Sequence, residues 1–458
     1  MARNDSTVLA SIIQVCLLPI SRCLVIPSTF TPRLCYTTNE MNAEEKINLS
    51  LAVKEQLSFE VIAFLKTAGD TAAKRGLKLY LVGGVVRDLL LERFNTDLDI
   101  VVEGDAIRLA EEIALSLQAK ITAHPRFSTA TVKWGNHSAD FVTARAETYA
   151  RSGALPKVKP GTIKDDLARR DFTVNAMAMA LNPDNYGELF DPFGGRQDLD
   201  RQIIRVLHEK SFQDDATRIW RAIRYEQRLG FHIEPMTMLL IERDLNMLKT
   251  VSGDRIRHEL EKVLKEEEPE KALIRADELG VLAKLNPYLK ADAWLAGTFI
   301  EARETCKGDS PTPLLYMALL CYRLIPADAE KLISYLHLPK AMAQAVKDTI
   351  AIKENMKTLS TNGQSPSVIH SLLNGYCPAA YEAVLIAAQS EAATEHIELY
   401  LNVLRYIHPR LTGDDLKKLG VPKGPKMKEV LKQLQNARLD GMIENKEDEE
   451  RWVKERIF

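Results

Sequence analysis

Leu81-Val82-Gly83-Gly84-Val85-Val86-Arg87-Asp88, followed by Asp97-Leu98-Asp99, decides the reading of this chain. An apolar run ends in two glycines, a short helical pattern follows, and a second apolar run opens with two aspartates. That is strand, turn, helix, strand. Side chains alternate along a strand, so Asp97 and Asp99 share a face, with Leu98 and Ile100 on the other. Two adjacent glycines let a phosphate approach the backbone. The helix starting near Val85 adds free N–H groups and the positive end of its dipole. Paired carboxylates beside such a turn suit a divalent-metal site for phosphoryl or nucleotidyl transfer. In isolation an Asp-x-Asp is more often a surface pair; the Gly-Gly-x-x-Arg-Asp lead-in reverses that. Asp140, on a neighbouring strand pattern, offers a third carboxylate.

Around this stretch the chain alternates. Lys78 to Val82, Asp97 to Val102, Ile121 to His124, Thr129 to Trp134, Ala139 to Thr143 and Ala176 to Leu181 read as strands. Val85 to Leu91 and Ala106 to Gln118 read as helices, as does the spacing from Asn42 to about Arg75. Arg145 to Gly161 holds two prolines, two glycines and several basic residues, so it reads as a loop. After about Leu207 the strand patterns stop. Ala216 to Leu229, Arg255 to Lys265, Pro269 to Leu279, Pro313 to Leu324, Ala327 to Tyr335, Ala341 to Met356, Ala379 to Ala388 and Met427 to Leu439 read as helices. The expectation is a small α/β head with a mixed sheet, followed by an all-helical remainder.

Bulk properties bound the function. The 458 residues are 46% hydrophobic and 27% charged, ordinary for a globular chain, and the length permits two to four domains. A net charge of −2 excludes a bulk polycation, so any nucleic-acid surface is a local patch. Six cysteines with no CxxC pair disfavour a zinc site and, still more, a disulfide framework; a reducing cytoplasm fits. Val8 to Ile20 is apolar but too short to span a bilayer, so no membrane partner is expected. A secretory signal and a mitochondrial presequence compete for residues 1–41. The preferred reading is an extension ahead of a true start at Met41.

Four further stretches carry chemistry. Arg169-Arg170-Asp171-Phe172-Thr173-Val174-Asn175-Ala176 offers a cation pair for phosphate and an amide for a hydroxyl. Asp191-Pro192-Phe193-Gly194-Gly195-Arg196 reads as a turn or hinge. In Asp214-Asp215-Ala216-Thr217-Arg218-Ile219-Trp220-Arg221-Ala222-Ile223-Arg224, helical spacing sets Asp215 and Arg218 three apart on one face. That pairs acceptors with a planar donor fork, the equipment to read a base edge; the bland alternative is a solvated ion pair. Arg221, Arg224 and Arg228 continue a basic stripe. Near the C-terminus, Lys417, Lys418, Lys423, Lys426 and Lys428 surround Leu419-Gly420 and Gly424-Pro425, a helix–turn–helix corner able to meet an RNA backbone.

Gly83-Gly84-Val85-Val86-Arg87-Asp88-Leu89-Leu90 with Asp97-Leu98-Asp99 resembles motif A of the class II nucleotidyltransferases, the CCA-adding tRNA nucleotidyltransferases and bacterial poly(A) polymerases. The stretch at Arg169 is similar to their RRDFTxNA motif, and that at Asp191 to their head–neck connector. The stretch at Asp214 resembles EDxxR, with Asp214 standing where Glu is usual. The lysine-rich segment resembles the tail of many bacterial members. The resemblance is dense from about Lys78 to Lys265 and weaker from about Leu411 to Glu449.

It implies a head (42–206), neck (207–270), body (271–400) and tRNA-binding tail (401–458). It implies Mg²⁺ at Asp97 and Asp99, with Asp140 supporting. Gly83, Gly84, Arg87, Arg170, Asp171 and Asn175 would contact triphosphate and ribose. Asp215 and Arg218, with Arg221 and Arg224, would select CTP and ATP, and Lys417, Lys418, Lys423 and Lys426 would bind tRNA. The expected activity is addition of CCA, or part of it, to tRNA 3′ ends. The alternatives are an A-adding or CC-adding specialist, a poly(A) polymerase, or a catalytically silent RNA-binding relative. The loop Tyr149 to Gly161 differs from the Asp-Gly-Arg type of many CCA-adding members and resembles a version shared by A-adding and complete enzymes. No His-Asp dipeptide occurs, which argues against an appended HD phosphohydrolase domain.

Overall fold

The computed structural model describes residues 47–148, 157–306 and 310–457. The expectations for residues 1–41 and for the tip of the 149–161 loop lie outside them.

The head is built on a seven-stranded sheet. In chain order its strands are β1 (Lys78–Val82), β2 (Leu98–Glu103), β3 (Lys120–His124), β4 (Thr129–Trp134) and β5 (His137–Thr143). After the ribbon β6 (Arg145–Thr148) and β7 (Lys157–Pro160) come β8 (Ala178–Ala180) and β9 (Leu189–Phe190). The spatial order is β3-β4-β5-β2-β1-β8-β9. Only the β2–β5 pair is parallel. That pair needs a crossover, and the stretch between supplies one with a helix in it.

The two faces of β2 go to different cores, as alternation requires. Leu98, Ile100 and Val102 join the large hydrophobic cluster. Four head helices frame this fold: α1 (Ser50–Gln56), α2 (Phe59–Lys74), α3 (Gly84–Leu90) and α4 (Ala106–Ser116). On the large-cluster side α2 and α4 contribute Phe64, Leu65, Leu109 and Ile113. Val101 faces the other way, into a smaller cluster with Val82, Ala178 and Leu167 of α5 (Ile163–Ala168). Asp99 shares Val101's face, so the carboxylate emerges on the side where α5 packs.

The large cluster does not end with the head. It runs through Trp220, Ile223 and Leu260 to Phe299, Leu319 and Val346, so one continuous core holds head and first helices together. Separate clusters centre on Val384 and Ile397, and on Leu416, Leu434 and Val453. After the head sheet come α6 (Gly195–Asp200), α7 (Ser211–Asp214), α8 (Thr217–Leu229), α9 (Pro235–Asp244) and α10 (Gly253–Val263), then further helices from Pro269 to Ile457.

Three expectations change. The 145–161 segment is not simply loop: its described ends pair as the β6–β7 ribbon, Arg145 opposite Pro160 and Thr148 opposite Lys157. Strands do not stop at Leu207. Two short ones, β10 (Ile203–Ile204) and β11 (His232–Ile233), pair in parallel around α8, below the length that sequence alternation reveals. Asp215 is not on a helix; its backbone is extended (φ −147°, ψ 98°) between α7 and α8.

Candidate active site

A cavity of about 490 Å³ opens where several separated stretches meet. Its lining includes Gly83, Gly84 and Asp99 from the β1–α3–β2 unit, then Arg170, Asp171 and Asn175, then Asp214, Asp215, Arg218 and Arg221. Glu147, Arg169, Tyr225 and Arg255 also line it, with backbone and apolar side chains of β1, β2 and β5.

Gly83 shows why the glycine is needed. Its φ of 78° lies in the left-handed region, where a β-carbon is disfavoured. A Cβ there would also sit 2.8 Å from Arg170 Nη1 and 3.6 Å from Asp99 Oδ2. The turn therefore brings a bare backbone, a cation and a carboxylate to one point.

In the sheet, Val82, Asp99, Asp140 and Thr131 stand in register across adjacent strands. Asp140 is exposed, accepts from Thr131 Oγ1 at 2.6 Å and does not line the cavity. Asp97 is exposed just before β2, and Asp99 is partly buried. Burial pushes the Asp99 carboxyl up to about 6; Arg170 opposes this, while Asp97, Asp140 and Asp166 add to it. Neither Asp97 nor Asp99 has a side-chain hydrogen bond or ion pair to a described residue. Crowded carboxylates lacking a bonded cation are the donor set that suits a divalent cation. Among the described residues no group of three or more His, Cys, Asp or Glu forms a closed metal cage. Two protein carboxylates, with the rest of the shell from phosphate and water, is the usual Mg²⁺ arrangement.

The second stretch is held from below. Thr162 and Asp165 form a capping box on α5. Fully buried Asp166 accepts from Arg169 at 2.7 Å and Arg170 at 3.3 Å. Arg170 Nε is buried without a partner, so this guanidinium is not saturated by protein. Asp171 accepts from Phe172 N and Asn175 Nδ2 through one oxygen and from Arg221 through the other, at 2.6 Å to Nη2. Burial alone would raise the Asp171 carboxyl. Arg221, Asn175 and Arg218 together outweigh it and hold it below the usual carboxylate range.

Arg87 stands behind the cavity instead of in it. It is buried, donates to Asn175 Oδ1 at 2.7 Å and to Asp88 at 2.8 and 2.9 Å, and so fixes Asn175. Arg224 also lies outside. It pairs with Glu266 at 3.2 Å and sits 4.7 Å from the Tyr225 ring centroid. Arg221 and Arg228 are paired too, so the stripe on α8 is largely neutralised by protein.

Asp215 and Arg218 both reach the cavity but do not bond each other. Asp215 accepts from Thr217 N and Oγ1 and from Arg255 Nη2 at 2.7 Å. Arg218 donates to Ser211 Oγ at 2.6 Å and to the Arg169 carbonyl at 2.7 Å. The simple ion pair is therefore absent. An acceptor and a donor fork stand fixed by separate partners, which leaves edges for a ligand.

Arg255 and Tyr225 escape the sequence reading. Tyr225 falls inside a quoted helix, but Arg255 is 40 residues from Asp215 with no local pattern tying them. The connector at Asp191 packs more tightly than a free hinge. Asp191 caps α6 through Gly195 N and Arg196 N, and a Cβ on Gly195 would meet the Thr173 carbonyl at 2.3 Å. In the C-terminal region Lys417, Lys418, Lys423 and Lys426 are all exposed around a corner centred on buried Leu416 and Val421.

The chain is similar to known proteins in sequence and in fold. Residues 79–205 match a family model described as "Poly A polymerase head domain", and 230–292 one described as "Probable RNA and SrmB- binding site of polymerase A". An A-adding tRNA nucleotidyltransferase of Geobacter sulfurreducens is 34% identical over 93% of this chain and 52% of its own length. The chain thus spans about half of that relative. An A-adding tRNA nucleotidyltransferase of Halalkalibacterium halodurans is also 34% identical, over 89% of this chain and 95% of the relative. Among solved structures, the apo form II of a CCA-adding enzyme superposes with a TM-score of 0.75 at 30% identity, covering 89% of this chain and 98% of that one. The chain belongs to the family of CCA-adding-type tRNA nucleotidyltransferases and poly(A) polymerases.

Proposed function

We propose that the protein is a tRNA nucleotidyltransferase that adds CCA, or part of it, to tRNA 3′ ends from CTP and ATP. The observation that carries this is one cavity holding, side by side, the carboxylate of Asp99, the Gly83 turn against Arg170, and Asp215 with Arg218. In the transfer the RNA 3′-hydroxyl oxygen bonds the α-phosphorus and the bond to the β-phosphate oxygen breaks. The hydroxyl proton departs and pyrophosphate leaves. A Mg²⁺ ion held by Asp97 and Asp99 would supply neutralisation of the triphosphate charge. Gly83 and Gly84 admit the triphosphate, and Arg170 grips it with the donor capacity it has left. Asp171, locked by Arg221 and Asn175, favours ribose. Asp215 and Arg218 present fixed groups to the Watson–Crick edge. Catalysis is then mostly positioning and charge.

Within this reading, addition of the terminal A alone is favoured. Two relatives matched at 34% identity over 93% and 89% of this chain carry the name A-adding. Purified protein offered tRNA lacking CCA, tRNA ending in CC and an unrelated RNA, each with CTP or ATP, separates the cases. Incorporation of AMP into tRNA ending in CC, and of nothing into the shorter tRNA, is the A-adding outcome. Stepwise CCA marks a complete enzyme, and long A tracts on any RNA mark a poly(A) polymerase. No incorporation on any substrate would sink the transferase reading. Asp97→Ala should abolish transfer of every accepted nucleotide while tRNA affinity stays within about twofold; retained turnover would remove Asp97 from the metal pair.

A further inference from the structure

A second cavity, of about 640 Å³, lies among the body helices, away from every motif named above. Trp294, Tyr322, Arg323, Lys353 and Met356 line it, with Ser390 on the far side. It falls on the seam between two hydrophobic clusters, and Tyr322 packs against both. The Trp294 and Tyr322 rings are 5.6 Å apart at 32°. Arg323 lies 4.6 Å from the Trp294 centroid, and Lys353 Nζ 5.8 Å from that of Tyr322.

The plain reading is that these cation–ring contacts are cement between helices. Two observations resist it. The rings remain partly exposed and border open space of a size that admits a small organic ligand. And the cations are not both spent. Asp292 and the Lys290 carbonyl hold Arg323 through its terminal nitrogens, which aims it at Trp294. Lys353 has only the Leu324 carbonyl, at 2.6 Å, and no described carboxylate at ion-pair distance. A partly buried ammonium whose nearby carboxylate, Glu354, stands beyond ion-pair distance keeps donor capacity for an anion. No acidic side chain lines the cavity.

We infer that this cavity binds a nucleotide: a base stacked on Trp294 and Tyr322, with its phosphate at Lys353. Aromatic faces beside cations are how proteins hold unstacked bases without reading their sequence. Two sources share this chemistry, a free nucleoside triphosphate and a nucleotide splayed out of bound RNA. The site shares no lining residue with the cavity proposed for transfer, so binding and not turnover is the readout.

The intact protein and its Lys353→Gln and Trp294→Leu variants are titrated with ATP by calorimetry and with fluorescently labelled tRNA lacking CCA by anisotropy. Trp294→Phe, which keeps a ring, is the folding control if Trp294→Leu fails to fold. If RNA supplies the nucleotide, both variants weaken tRNA binding about tenfold and leave ATP binding unchanged. If free nucleotide fills the site, the wild type binds two equivalents of ATP and Lys353→Gln binds one, with tRNA affinity unchanged. Trp294→Phe stays near wild type in either case. Unchanged stoichiometry and affinities within twofold for both ligands in Lys353→Gln would overturn the inference.

Discussion

Asp171 is the residue on which the candidate site's electrostatics turn. It is almost fully buried, yet its carboxyl is held low because Arg221, Asn175 and Arg218 outweigh burial. A group whose folded value is depressed contributes stability that is present above its unfolded value. That contribution is lost as pH falls through the folded value. With an unfolded value near the usual ~3.9, the loss falls below about pH 4. Asp171→Asn should therefore cost about 3 kcal/mol at pH 7, because Arg221 loses its buried partner. The gap to wild type should narrow as pH drops below about 4. Thermal melts of both proteins across that range check it, and a gap that stays constant would count against the charged pair as the cause. At the same scale, Arg255 touches Asp215 and no motif predicted it. Arg255→Ala frees an acceptor that the fold aims, so discrimination between ATP and CTP should fall about tenfold with kcat for the preferred nucleotide less affected. Single-nucleotide incorporation assays measure that ratio, and an unchanged ratio would make Arg255 a mere surface partner.

Elements meet here through glycines that permit backbone-to-backbone contact. A Cβ on Gly69 of α2 would lie 2.0 Å from the Leu181 carbonyl; one on Gly253 at the start of α10 would lie 1.7 Å from that of Tyr335. Neither φ is in the left-handed region, so space alone is at stake. Gly69→Ala and Gly253→Ala should each destabilise by about 1–3 kcal/mol, as overpacking does. Chemical denaturation gives the number, and a neutral result would mean the packed elements can move apart. The same scale shows what sequence could reveal. The β1–α3–β2 unit was legible because its signals are local: alternation, two glycines, an Asp-x-Asp. The β6–β7 ribbon is hidden in the sequence because Pro160 sits on β7, an exposed and weakly specified strand. Asp215 was read onto a helix because three-residue spacing looks helical, whereas the chain breaks there between α7 and α8. The helices at Ala293–Thr305 and Glu391–Asn402 carry apolar residues on more than one side, which blurs their period. Asp215–Arg255 could not be found at all, since only the folded chain closes 40 residues.

Over the whole molecule, a nearly neutral chain is proposed to hold a polyanion. With a net charge of −2 there is no general attraction to RNA, so affinity must come from patches. The stripe on α8 cannot be the main one, since Arg221, Arg224 and Arg228 are each paired with Asp171 or Glu266. The lysines at the C-terminal corner differ. Lys417, Lys418, Lys423 and Lys426 are exposed, and none has an ion pair to a described carboxylate. Their cluster has its own small core around Leu416 and Leu434, so substitution on its surface should leave the fold intact. Each phosphate contact releases counterions and adds to the salt dependence of binding, by about 0.9 in the log–log slope on a duplex. Replacing all four lysines by glutamine should lower the slope for tRNA by up to about 3.6. It should weaken tRNA binding more than tenfold at low salt and leave ATP binding unchanged. Transfer to a short acceptor minihelix, which lacks the rest of the tRNA, should be spared. An unaltered salt slope would move the RNA-binding surface away from this corner. A minihelix defect as large as that on full tRNA would place the lysines near the reacting end instead.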